Sequence, residues 1–216
     1  MKSLNVVFTR VGKAEVQEHE VGDPPEGEIQ VRCVANGICM AEVTQFTGDE
    51  PRAFPREVGH EGIGQVIKVG PGVQGFSEGD WVDCWKWNTI QNFAASRAHK
   101  YGNTPGDPGI MLAEPVACVI RSLFASDIYP GDRALLIGAG FMGLLNAQGM
   151  GHFPLGEFVA VDVKPENLRL AKAYGATEIV QVGTPDGDAR YEELKKDPFD
   201  IVIEAAGAEV TIQDAG

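Results

Sequence analysis

Several things this sequence lacks narrow its class before any motif is read. Its four cysteines, Cys33, Cys39, Cys84 and Cys118, include no Cys-x-x-Cys pair, which excludes both a disulfide framework and a four-thiolate zinc lobe. Basic residues are scarce. Lys plus Arg total 18 against 31 Asp plus Glu, a net charge of −13, which argues against nucleic acid or an anionic membrane as the main partner. No window reaches the roughly eighteen unbroken apolar residues of a membrane span, and the opening MKSLNVVFTRVGK has no apolar signal core. A cytoplasmic location is therefore expected. The 27 glycines follow no collagen-like period, and no internal repeat or low-complexity tract is present.

What is present divides into two grammars. With 216 residues and 44% hydrophobic content, the chain can form one large domain or two modest ones. Up to about residue 87, short apolar runs (LNVVF, EIQVRCV, GIGQVIKVG, DWVDCW) alternate with turn-rich stretches, the pattern of a β-rich domain. After about residue 130 the order becomes strand, glycine turn, helix, strand: ALLIGAG, FMGLLNAQGMG, EFVAVDV, PENLRLAKAYGA, TEIVQV and FDIVIEAAG. That βαβ series predicts a parallel sheet covered by helices. Between them EPVACVIRSLFAS reads as a helix with Pro115 at its first position. The predicted boundary is YPGD at 129–132, giving domains 1–128 and 129–216. Residues 88–110 are polar and without periodicity and are expected to form a mobile loop.

Gly138, Gly140 and Gly143 stand in GxGxxG spacing directly after a predicted strand and at the start of a helix. The first glycine permits a tight turn, the second lets backbone approach a pyrophosphate, and the third lets the helix pack close to the strand. Phosphates would then meet the free N–H groups of the helix start, including those of Phe141 and Met142. Nineteen residues after Gly143, Asp162 ends the next strand, where a carboxylate accepts from both ribose hydroxyls and repels a 2′-phosphate. NAD is favoured over NADP on that ground. Lys164 and Arg169 lie nearby and weaken the preference; Arg169 is grouped with the cofactor-binding residues. Turn glycines and a solvated strand end are the plainer alternative, which the agreement of strand, spacing and helix opposes.

Upstream, Gly59, His60, Glu61, Gly64, Gly70 and Val73 form the pattern GHExxGxxxxxGxxV, preceded by Gly37-x-Cys39 and followed by Glu114-Pro115. These elements, in this order and ahead of a dinucleotide fingerprint, resemble the zinc-containing medium-chain alcohol dehydrogenases, in particular their polyol and threonine dehydrogenase branch. The resemblance spans essentially the whole chain. It implies a GroES-like β-rich catalytic domain followed by a Rossmann domain, an α/β plus β architecture, with a single catalytic zinc. Carried over residue by residue, it makes Cys39 and His60 metal ligands and assigns the carboxylate positions to Glu61 and Glu114, without ranking the two. Each residue has a plainer reading: Cys39 as a small core residue, His60 as a turn histidine, Glu61 as a solvated charge, Glu114 as a favourable helix-start charge. Cys33, Cys84 and Cys118 read as packing residues.

Two departures from the family pattern stand out. No four-cysteine lobe follows Cys84, so no structural zinc is expected. Relatives commonly carry a proton-relaying hydroxyl two residues after the catalytic cysteine, where this chain has Ala41; Thr44, Glu42, Glu61 and Glu114 are the candidates to replace it, with Thr44 grouped with the catalytic set. Only four strands of a 3-2-1-4-5-6 sheet are legible before Gly216, so a C-terminally shortened Rossmann domain is expected. The expected reaction is hydride transfer between a secondary alcohol or its ketone and NAD, the alcohol being a polyol, sugar alcohol or amino alcohol. Family members form homodimers or homotetramers. The alternative is a noncatalytic remnant that binds zinc or nucleotide without turnover. Trp85, Trp87 and Phe46 are candidates to line a substrate slot, against the commoner reading of aromatic residues as core.

Overall fold

Alternating apolar residues build the first half of the molecule from antiparallel strands. The computed structural model describes residues 1–102 and 106–215, which divide into two compact units, Met1–Glu114 and Pro115–Gly216. In the first, β1 (Lys2–Arg10) pairs with β2 (Lys13–Glu20) and with β4 (Arg56–Glu57). A second sheet has the order β6-β5-β3-β7, formed by β3 (Glu28–Asn36), β5 (Gly62–Val69), β6 (Trp81–Cys84) and β7 (Ile90–Ala94). Ile29, Val31, Val66, Val82 and Cys84 bury one face of it. The buried Ser3 hydroxyl joins the sheets by donating to Ile90 O and accepting from Ile90 N.

Residues 88–110, expected as a loop, contain β7. Its register with β3 runs from Glu28↔Ala94 to Arg32↔Ile90, and it buries Ile90 and Gln91. The loop expectation fails there because β7 mixes polar Gln91 and Asn92 with apolar residues yet takes backbone pairing from β3, and pairing leaves no mark in apolar periodicity. Residues 103–105 of that stretch lie outside the described residues.

The second unit contains one parallel sheet of order β10-β9-β8-β11, made of β8 (Arg133–Ile137), β9 (Glu157–Asp162), β10 (Glu178–Gln181) and β11 (Ile201–Glu204). In chain order this is 3-2-1-4, the predicted arrangement, with β8 and β11 adjacent where the winding reverses. Helices α3 (Phe141–Met150) and α4 (Pro165–Ala173) contribute to one core with Leu136, Phe158 and Ala160, whereas Tyr191 and Leu194 of α5 (Pro185–Leu194) pack with Ile137, Val159 and Val161 in another. Local chemistry sets the helix starts: Pro165 and Pro185 occupy first-turn positions, and the Thr184 hydroxyl accepts from Gly187 N.

Helix α2 (Ala113–Ala125) begins at the unit boundary. The sequence reading assigned it to the first domain, ending at 128, but Val119 and Leu123 bury in the core that contains Leu136, Met150 and Phe158. Apolar contact therefore draws most of the helix to the second unit. Pro108–Ala125 has the length and mean hydropathy, 1.4, of a membrane span, although Glu114, Pro115 and Arg121 interrupt it.

Candidate metal centre and nucleotide site

Two loops of the first unit supply the predicted metal ligands. Cys39 sits immediately before α1 (Met40–Thr47) in extended backbone, φ −84° and ψ 153°. His60 and Glu61 immediately precede β5, and the Gly37 N–H bonds Glu61 O at 2.8 Å, which brings the two segments side by side. One ligand atom from each of His60, Glu61 and Glu114 lies within 4.8 Å of the others, and Cys39, Glu42 and His60 form a second such group. Cys39 and Glu61 are in side-chain contact. The structure thus brings all four sequence-predicted ligands together around His60.

Glu42 organises this cluster. It is 5% exposed; its Oε2 accepts from Cys39 N at 3.0 Å and its Oε1 lies 2.6 Å from His60 Nδ1. With Nδ1 donating to Glu42, His60 turns Nε2, 3.8 Å from Glu61 Oε1, toward the carboxylates. A carboxylate behind a ligand histidine fixes both its tautomer and its ring direction. Both oxygens of Glu42 are engaged in this way; His60 is the member that the two donor groups share, and Cys39 also meets Glu61.

Burial raises the carboxyl pKa of Glu61; hydrogen bonding with Cys39 opposes the shift and the charge of Glu114 adds to it. Burial likewise raises the Cys39 thiol, partly offset by a backbone hydrogen bond at Ala41 and reinforced by Glu61 and Glu42. One thiol, one imidazole and three carboxylates make up the two groups. A divalent cation fits this donor set, and zinc accepts that mixture of sulfur, nitrogen and oxygen. Gly37 keeps the Glu61 carboxylate in place, because a Cβ there would stand 2.2 Å from Glu61 Oε2 and displace it.

The nucleotide residues lie in the second unit. Gly138 adopts φ +89°, and a Cβ on it would meet Ala206 N at 2.5 Å; one on Gly143 would meet Gly138 O at 1.9 Å; one on Gly140 would meet nothing within 4 Å. The glycines therefore serve a left-handed turn, a close helix–strand approach and open space, in that order. Phe141 and Met142 open α3 and are exposed, with no acidic residue in the first turn. Asp162 ends β9 beside this turn: Oδ2 accepts from Ala139 N at 2.6 Å and Oδ1 from Lys164 N at 2.7 Å. A cavity of about 330 Å³ adjoins it, lined in part by Gly138, Asp162, Val163, Val182, Ala206 and Val210. Arg169, on the exposed side of α4, is not among its lining residues.

Residues 25–124 match the alcohol dehydrogenase GroES-like domain and residues 138–215 match the zinc-binding dehydrogenase family. The chain belongs to the zinc-containing medium-chain alcohol dehydrogenase family. Among its relatives, an Escherichia coli K12 protein described as an uncharacterized zinc-type alcohol dehydrogenase-like protein, YdjJ, is 27% identical over all of this chain and 73% of its own length. An E. coli S-(hydroxymethyl)glutathione dehydrogenase is 24% identical over 83% of this chain and 64% of its own. Among solved structures, a Sinorhizobium meliloti 1021 protein bound to NADP superposes with a TM-score of 0.83 at 22% identity, over all of this chain and 73% of that one.

The remaining predicted residues are placed differently. Thr44 is not in either donor group; its hydroxyl donates to Ala41 O, 3.3 Å away and one turn back in α1. Phe46 and Trp87 pack on the buried Phe8, with ring centroids at 5.3 and 6.0 Å, and Trp85 lies under Arg97. The sequence alone offers Glu42 only as a candidate proton acceptor. Its Cys-x-x-Glu spacing was the available signal: three residues on, the first helical turn returns the side chain to the Cys39 backbone.

Proposed function

We propose that this family member catalyses reversible hydride transfer between a polar secondary alcohol and a nicotinamide dinucleotide, with one zinc ion held by Cys39, His60 and a carboxylate from Glu61 or Glu114. The convergence of these four side chains carries the proposal. Zinc, when bound, supplies a Lewis acid that makes the substrate hydroxyl more acidic, and the dinucleotide supplies the hydride acceptor. Glu42 holds His60 in the tautomer that presents Nε2. Whichever of Glu61 and Glu114 is not a ligand accepts the hydroxyl proton at its carboxylate. Ala41 leaves no hydroxyl relay at that position.

In the second unit, the N–H groups at the start of α3 receive the pyrophosphate and the apolar cavity beside Gly138 takes the adenine. Asp162 accepts from the ribose hydroxyls, which favours NAD; its negative charge opposes the 2′-phosphate of NADP, the nucleotide held by the S. meliloti protein. The Glu114-Pro115 element favours a sugar alcohol or another polyol as substrate.

Zinc content and NADH appearance on a panel of polyols test this together. The expected result is about one zinc per chain, turnover with NAD exceeding that with NADP, and loss of both zinc and turnover in Cys39→Ala with the β-rich unit still folded. Unchanged zinc in Cys39→Ala would refute its role. Bound zinc and nucleotide with no turnover on any alcohol would support the noncatalytic alternative.

A further inference from the structure

Trp87 touches both ligand-bearing segments. Its indole Nε1 donates to Asn36 Oδ1 at 3.1 Å and to Gly37 O at 3.0 Å, the residues three and two before Cys39. On the other side its backbone N–H donates to Val58 O at 2.7 Å, and Lys86 N–H donates to Gly59 O at 3.0 Å. Val58 and Gly59 lead directly into His60. Gly59 has φ +105° and lies so close to the ring that a Cβ would stand 2.5 Å from Trp87 Cδ1. The ring meets Phe8 edge-on at 6.0 Å, and Phe8 in turn packs on Phe46 of α1, the helix that carries Glu42.

We infer that Trp87 is a positioning residue: its indole ties the Cys39 segment to the His60 segment and so sets the spacing of the two metal ligands. This rests on the metal centre proposed above. The tie to Val58 is made by backbone and survives a side-chain change; the tie to Asn36 and Gly37 is made by one indole N–H and does not. Trp87→Phe therefore keeps an aromatic ring against Phe8 and Gly59 while removing the indole bonds to the Cys39 side; the backbone bond from Gly37 N–H to Glu61 O remains. Trp85 supplies the control, since among the described residues its Nε1 has no hydrogen-bond partner.

The test measures the zinc dissociation constant by chelator competition, together with the thermal midpoint of the zinc-free protein, for wild type, Trp87→Phe and Trp85→Phe. Loosening a group that orients ligands typically weakens metal binding by about tenfold or more; that loss is expected for Trp87→Phe and not for Trp85→Phe, with the zinc-free midpoints of both variants falling alike. The sulfur-to-metal band of the cobalt-loaded protein should shift in Trp87→Phe only. If Trp87→Phe does not fold, Asn36→Ala removes one of the two acceptors without touching the ring and should weaken zinc by a smaller factor. Unchanged zinc affinity in whichever of these variants folds, or an equal loss in Trp85→Phe, would overturn the inference while leaving the metal centre standing. A wild-type protein that binds no zinc would overturn the metal centre itself and the inference with it.

Discussion

Glu42 accepts from the backbone N–H of one ligand, Cys39, and holds the ring of the other, His60, with both contacts at hydrogen-bond distance and the carboxylate buried. Removing it frees His60 to rotate and leaves Cys39 N–H without its acceptor. Glu42→Ala is expected to weaken zinc by about 10–100-fold, measured by chelator competition, with Glu42→Gln intermediate because its amide oxygen accepts one of the two bonds. An affinity unchanged in Glu42→Ala would remove Glu42 from the site. At this scale the sequence offered Cys39, His60, Glu61 and Glu114 through the family resemblance, and the structure places them in groups that share His60 or touch through Cys39 and Glu61. The roles of Glu42 and Trp87 were not legible, since they depend on a helical turn and on contacts 50 and 51 positions apart, from Trp87 Nε1 to Gly37 O and Asn36 Oδ1.

The turn between β8 and α3 makes a prediction that separates folding from binding. Gly143→Ala places a methyl against Gly138 O, a backbone atom that cannot turn away, so overpacking of about 1–3 kcal/mol is expected, read as a lowered thermal midpoint. Gly140→Ala meets no protein atom and has negative φ, so stability should hold while dinucleotide affinity falls. The reverse ranking would contradict the assigned roles. Between α5 and β10, Arg190 bonds both oxygens of Glu178 at 2.7 and 3.0 Å and, as the largest cause, holds that carboxyl below its ordinary value. The pair's contribution is therefore complete above the ordinary carboxylate range and disappears as pH falls through the lowered value. Both groups are more than a third exposed, so Arg190→Ala should cost less than about 1 kcal/mol near neutral pH and nothing in acid, as urea titrations at two pH values would show. The parallel strands were legible as apolar runs with glycine turns. β2 was not, because seven of its eight residues are exposed and its order comes from pairing with β1, and α5 was hidden by its charged surface, with only Gly187, Tyr191 and Leu194 turned inward.

Across the molecule the chemistry is divided: the proposed ligands all belong to Met1–Glu114, and the glycine turn, Asp162 and the apolar cavity belong to Pro115–Gly216. The division of labour was legible in the change from antiparallel to βαβ grammar. The position of α2 was not, because a helix at a boundary shows its apolar face to the sequence reader without showing which core receives it. The claim on which the rest depends is that Cys39, His60 and a carboxylate share one ion, and X-ray absorption at the zinc edge tests it most directly. A single sulfur at about 2.3 Å with nitrogen and oxygen at about 2.0–2.2 Å is predicted, the sulfur vanishing in Cys39→Ala. A zinc shell with no sulfur, or one whose sulfur persists in that variant, would contradict the account.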